Sequence, residues 1–76
     1  MTLQEFSLLP ESDKATFVWS GKFQTYRNEE GFTIMLYKVE DFYVEVYYET
    51  NTNKRIAFIP IDKARRAELY FEFILN

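Results

Sequence analysis

Glu45 is flanked at two-residue spacing by Tyr43 and Tyr47, with Glu49 four residues on. This is the one run in the chain where aromatic neighbours could raise a carboxylate's pKa toward general acid–base work. In an extended strand all four side chains share one face, which sets Glu45 and Glu49 roughly 13 Å apart. A paired-carboxylate glycosidase needs about 5 to 9.5 Å. A closer partner would have to come from another strand, and Asp41 and Glu30 fall in connections with nothing to bring them in. The chain has no histidine and no cysteine, so imidazole chemistry, thiolate nucleophiles and thiolate metal ligands are all absent. The acidic pairs Glu29-Glu30 and Glu40-Asp41 lack the alternating oxygen ligands and central glycine of a calcium loop. Two glycines, Gly21 and Gly31, cannot build a phosphate-cradling loop. The expectation is a non-enzymatic chain with no cofactor and no metal.

The elements that would carry these residues follow from periodicity and punctuation. Thr2 and Glu5 form a capping-box pattern, and Leu3, Phe6 and Leu9 give a narrow apolar stripe that Pro10 ends. Pro10 can open a second helix at its first position, with Ala15, Val18 and Trp19 on one face and Gly21 as a left-handed C-terminal cap. From Lys22 the period changes to two. Strands are expected over Lys22–Asn28, Phe32–Val39, Phe42–Thr50 and Arg55–Ile61, joined by Asn28-Glu29-Glu30-Gly31, Glu40-Asp41 and the run from Thr50 to Lys54. Pro60, which cannot donate to a ladder, suggests an edge position for the fourth strand. Asp62 can cap a last helix, Lys63 to Leu75, with Ala64, Ala67, Phe71 and Ile74 on one face and Leu69 and Phe73 on its flank. Tyr70 to Leu75 also reads as a fifth strand. The fold class is α+β, an α-α-β-β-β-β-α chain in which the N-terminal helix pair and the C-terminal helix pack on one face of a four-stranded antiparallel meander.

Sheet register decides which side chains face out. A two-residue Glu40-Asp41 connection pairs Val39 with Phe42, puts Thr33, Met35, Tyr37 and Val39 with Phe42, Val44, Val46 and Tyr48 in the core, and leaves Phe32, Ile34 and Leu36 beside Tyr43, Glu45, Tyr47 and Glu49. A three-residue connection exchanges the two sets of the second strand. Either way the outer face is rich in large apolar groups, which marks it as a candidate interaction surface. Its residues are Tyr43, Glu45, Tyr47, Glu49, Ile34 and Leu36, for self-association as a homodimer or for a protein partner. An ordinary solvated face, or one covered by a helix, is the competing expectation.

Length and charge bound the rest. At 76 residues the chain is expected to be one domain, residues 1–76, burying roughly 60% of its extended surface. With 20% aromatic residues the core is built from rings rather than around a cavity. Twelve acidic against nine basic groups give a net charge of −3, which argues against phosphate-backbone binding and so against nucleic acid. Five of the nine basic groups, Lys54, Arg55, Lys63, Arg65 and Arg66, fall after residue 50 and form a candidate basic patch. The acidic first part suggests, as an alternative, a small inhibitor or adaptor covering a basic site on a partner protein. A shallow small-ligand pocket between sheet and C-terminal helix is another. No apolar run reaches 18 residues and no export signal is visible, so no membrane partner and a cytoplasmic location are expected.

Overall fold

The computed structural model describes residues 1–71. Its elements are α1 (Leu3–Ser7), α2 (Glu11–Ser20), β1 (Lys22–Glu29), β2 (Phe32–Val39), β3 (Phe42–Glu49), β4 (Arg55–Ile61) and α3 (Lys63–Leu69). The four strands form one antiparallel sheet in the order β1-β2-β3-β4. This is the α-α-β-β-β-β-α meander expected from the periodicity, and it places β4, with Pro60, at an edge.

Local chemistry explains the boundaries. The Glu5 amide donates to Thr2 Oγ1 (3.1 Å) and the Thr2 amide to Glu5 Oε1 (2.7 Å), closing the capping box of α1. Five residues cannot hold a helix alone, so α1 depends on Phe6, which is fully buried with its ring 5.6 Å from that of Phe42. Pro10 stands at the cap of α2, one position earlier than expected, and the helix begins at Glu11. Gly21 is not left-handed: its φ is −81° and its backbone extended. It is needed for space, because a Cβ there would lie 2.4 Å from the Lys38 carbonyl oxygen. Gly21→Ala should therefore destabilise by about 1–3 kcal/mol through a backbone clash, a thermal midpoint lower by at least about 4 °C.

Two-residue connections join β1 to β2 and β2 to β3, with Gly31 (φ 84°) and Glu40 (φ 54°) supplying the positive backbone angles that tight hairpins require. Val39 pairs with Phe42, so the first of the two expected registers is present. Phe42, Val44 and Val46 bury one face of the sheet, together with Val39 and Phe58, under Phe6 of α1 and Val18 of α2.

The other face is also covered. Leu36, Tyr43 and Ile61 pack against Tyr70 at the end of α3, with Leu69 beside them. The helices thus divide the two faces, where the sequence placed all of them on one. α3 is also turned relative to its expected stripe: Ala64 and Ala67 are exposed, Phe71 is 63% exposed, and Tyr70 points inward. The Asp62 side chain accepts from the Arg65 amide at 2.8 Å and caps α3 as expected. Ile74, Phe73 and most of the alternative strand lie outside the described residues.

Candidate functional site

Glu45 sits at the centre of the α3-covered face, 2% exposed. Its Oε2 accepts from Arg27 Nε at 2.8 Å and from the Tyr70 hydroxyl at 2.6 Å. Arg27 starts on β1 and reaches across β2 to β3, so its stem crosses the sheet beside its cross-strand partner Ile34. Its guanidinium also donates to the Tyr47 hydroxyl at 3.3 Å, pairs with Glu29, and lies 5.7 Å from the centre of the Tyr70 ring. One buried carboxylate thereby ties together β1, β3 and the end of α3.

Burial opposes the Arg27 charge, but hydrogen bonds to Glu45 and Glu29 and the attraction of Glu45 outweigh it, so the guanidinium is held above its already high ordinary value. Burial, then the hydrogen bond and charge of Glu45, push the Tyr70 hydroxyl well above the ordinary tyrosine range. Burial raises Tyr47 and Tyr37 as well. A group whose neutral form is favoured by folding releases its proton more readily when unfolded. The stabilisation from Tyr70 is therefore complete below the unfolded tyrosine value of about 10 and is lost as pH rises past it. Stability measured by denaturant titration should fall above about pH 10, and Tyr70→Phe should flatten that fall.

The arrangement holds charge rather than presenting it. Both donors to Glu45 Oε2 are committed to it. Of the six residues expected on an open outer face, Ile34, Leu36, Tyr43 and Glu45 are buried, and Tyr47 and Glu49 are half-buried. The register that groups them is the expected one; α3 closes over them because Tyr70 brings a hydroxyl to Glu45 while burying its ring. Among the described residues Tyr43, Glu45 and Tyr70 lie between the sheet and the C-terminal helix, the place where a shallow ligand pocket is the alternative expectation.

The five basic residues do not converge. Arg55 opens β4 and lies over Phe58 (4.9 Å) and Trp19 (5.9 Å) on the α1/α2 face. Arg66 follows β4 and stacks 4.5 Å over Tyr43 on the opposite face, its Nε buried without a hydrogen-bond partner among the described residues. Lys54 lies at the β3–β4 turn, while Lys63 and Arg65 are exposed on α3 beyond the far end of β4. The acidic pairs are likewise divided between the two ends of β2. Among the described residues no group of three or more Asp and Glu side chains is placed to hold a metal, and no helix is long and apolar enough to cross a membrane.

What the described surface does expose is a run of rings on the α1/α2 side. Phe23 lies 5.6 Å from Tyr37, Tyr37 5.5 Å from Trp19, and Trp19 5.8 Å from Phe58, each pair tilted edge to face. Phe23 is 53%, Tyr26 57% and Trp19 46% exposed. Beside them an open groove of about 260 Å³ is lined by Thr33, Met35 and Tyr48 on this face of the sheet and by Asn53 of the β3–β4 connection. Phe23 and Tyr26 are three residues apart and would face opposite ways in a regular strand. A bulge at Gln24 puts both on one face, Phe23 opposite Tyr37 and Tyr26 opposite Met35. The spacing alone hides this, because nothing in the residue types marks Gln24 as the extra residue.

The chain matches no family model, no curated protein and no solved structure. Function rests on this geometry alone.

Proposed function

We propose that this protein is a non-enzymatic interaction module that binds a protein partner through the aromatic half of its sheet, with Trp19, Phe23 and Tyr26 as anchors. The observation that carries this is the exposure of these rings on one face: Trp19 and Phe23, each about half exposed, meet through Tyr37, and Tyr26 lies on the same face opposite Met35, which lines the groove. Contiguous aromatic surface of this kind costs hydration when left open and is typical of contact sites. Tyr and Trp are also the side chains most enriched among residues that dominate binding energy. Trp19 and Phe23 are held by edge-to-face neighbours, so they need little ordering on binding.

Site-specific photo-cross-linking tests this function. A benzophenone side chain introduced at Phe23 or Tyr26 should give covalent protein adducts in cells making the protein, whereas the same group at Glu68, exposed on α3, should not. Absence of adducts from both sheet positions, or equal capture from Glu68, would overturn it.

A further inference from the structure

We infer that the partner is a second copy of this chain, joined edge to edge through β1 about a two-fold axis passing beside Tyr26. This rests on the interaction function proposed above and names its partner. β1 is an edge strand of eight residues, Lys22–Glu29, and contains no proline. One side of its backbone is hydrogen-bonded to β2, and the other, which has no ladder partner among the described residues, presents amides and carbonyls to which a further strand can add. The opposite edge, β4, contains Pro60 and is blunted for that purpose.

The residues of β1 choose the register. Two antiparallel copies centred on Tyr26 set Tyr26 against Tyr26 of the second copy and Thr25 against Arg27. Gln24 is the extra residue in the β1–β2 ladder; carried as the extra residue on the free edge too, it brings Phe23 opposite Asn28 and Lys22 opposite Glu29. Every facing pair then belongs to the same side of the sheet: Phe23, Tyr26 and Asn28 with the aromatic surface, Lys22, Thr25, Arg27 and Glu29 with the α3 side. Moving the axis to Thr25 sets Arg27 against Lys22, and moving it to Arg27 sets that residue against itself. Like charges directly opposite destabilise a ladder, so of these three registers charge favours the one centred on Tyr26.

The electrostatics of the single copy point the same way. Within its own sheet Lys22 stands directly opposite Lys38, and neither has a carboxylate partner among the described residues. Glu29, which pairs with Arg27 within its own copy, would also face Lys22 of the second copy and give it a carboxylate neighbour, and symmetry repeats that contact. The two aromatic surfaces meet along the seam, with Phe23 and Tyr26 of each copy in the join. Charges on an edge strand repel a generic strand; here they match the inverted copy of the same strand and so confer selectivity.

The test is the molecular mass of the full chain by light scattering over a wide concentration range, for the wild type, Lys22→Glu, Glu29→Lys and the double variant. Lys22→Glu replaces a Lys–Lys opposition with a Glu–Lys pair inside the copy, so the fold is expected to tolerate it, while across the seam it opposes Glu29 with a glutamate. The expected result is a wild-type dimer, a dimer midpoint moved at least about tenfold to higher concentration by Lys22→Glu, and recovery in the double variant. Wild-type β1 amides should also exchange more slowly in concentrated than in dilute solution, which requires no variant. A monomer at all concentrations, a dimer indifferent to Lys22→Glu, or unchanged β1 exchange overturns the inference. A monomer whose position-26 benzophenone still captures another protein removes only the second copy; loss of both signals removes the interaction function too.

Discussion

Glu45→Ala should be the most damaging substitution on the α3 face, lowering stability by about 3–5 kcal/mol, the usual cost of removing one partner of a buried ion pair. The mechanism is specific. Alanine leaves Arg27 partly buried beneath α3 and leaves the Tyr70 hydroxyl with no acceptor in place of a 2.6 Å bond. Glu29 still pairs with Arg27 and the Arg27 side chain retains 17% exposure, which places the loss toward the lower part of the range. At about 4–8 °C per kcal/mol for a chain of this size the thermal midpoint drops by at least about 12 °C. A triple replacement, Arg27→Met, Glu45→Leu and Tyr70→Phe, should recover most of that loss, because an apolar set of similar volume requires no charge to be desolvated. Tyr70→Phe alone removes one hydrogen bond to a charged group and should cost about 1.5–3 kcal/mol. Thermal and denaturant unfolding of the three variants would check the order: single glutamate loss worst, tyrosine loss intermediate, triple replacement mildest.

Phe6→Ala should be comparably severe, about 3–5 kcal/mol, but with a local signature. Phe6 is the one buried residue of α1, packed on Phe42, and Lys14 of α2 lies over its ring at 5.9 Å. Without it the capping box closes a five-residue helix that has nothing to pack on. The amides of Leu8 and Leu9, which donate to Glu5 and Phe6 carbonyls, should lose their protection from exchange before those at the centre of β3. Uniform loss of protection across α1 and β3 would mean that α1 is not separable from the sheet.

The fold was legible because its signals are local. The Thr2/Glu5 box, Pro10, Gly31, the Asp62 cap and the alternation through β2 and β3 each act within a few residues. Once the Glu40-Asp41 connection is read as two residues, the partners of both strands follow. What was not legible depends on long-range competition. Tyr70 and Phe71 are adjacent aromatics, and helical spacing favoured Phe71 for the interior; the structure buries Tyr70, because its hydroxyl finds Glu45 25 residues away in sequence. The same contact turned the expected open face of Tyr43 and Glu45 into a second core. The aromatic surface escaped for a different reason. A one-residue bulge at Gln24 changes which side chains share a face, and Phe23, Gln24, Thr25 and Tyr26 read as regular strand without it. The basic residues after position 50 are close in sequence but divided in space by β4, whose two ends feed opposite faces.

The sheet is closed over Tyr43 and Glu45 and open over Trp19, Phe23 and Tyr26. Hydroxyl-radical footprinting of the dilute full chain, read residue by residue by mass spectrometry, tests it most directly. Fast modification of Trp19, Phe23 and Tyr26 with protection of Tyr43 and Tyr70 is the predicted result. Tyr43 and Tyr70 modified as fast as Tyr26 would contradict it, since α3 would then not be seated on the sheet and the face it leaves bare would be the exposed one.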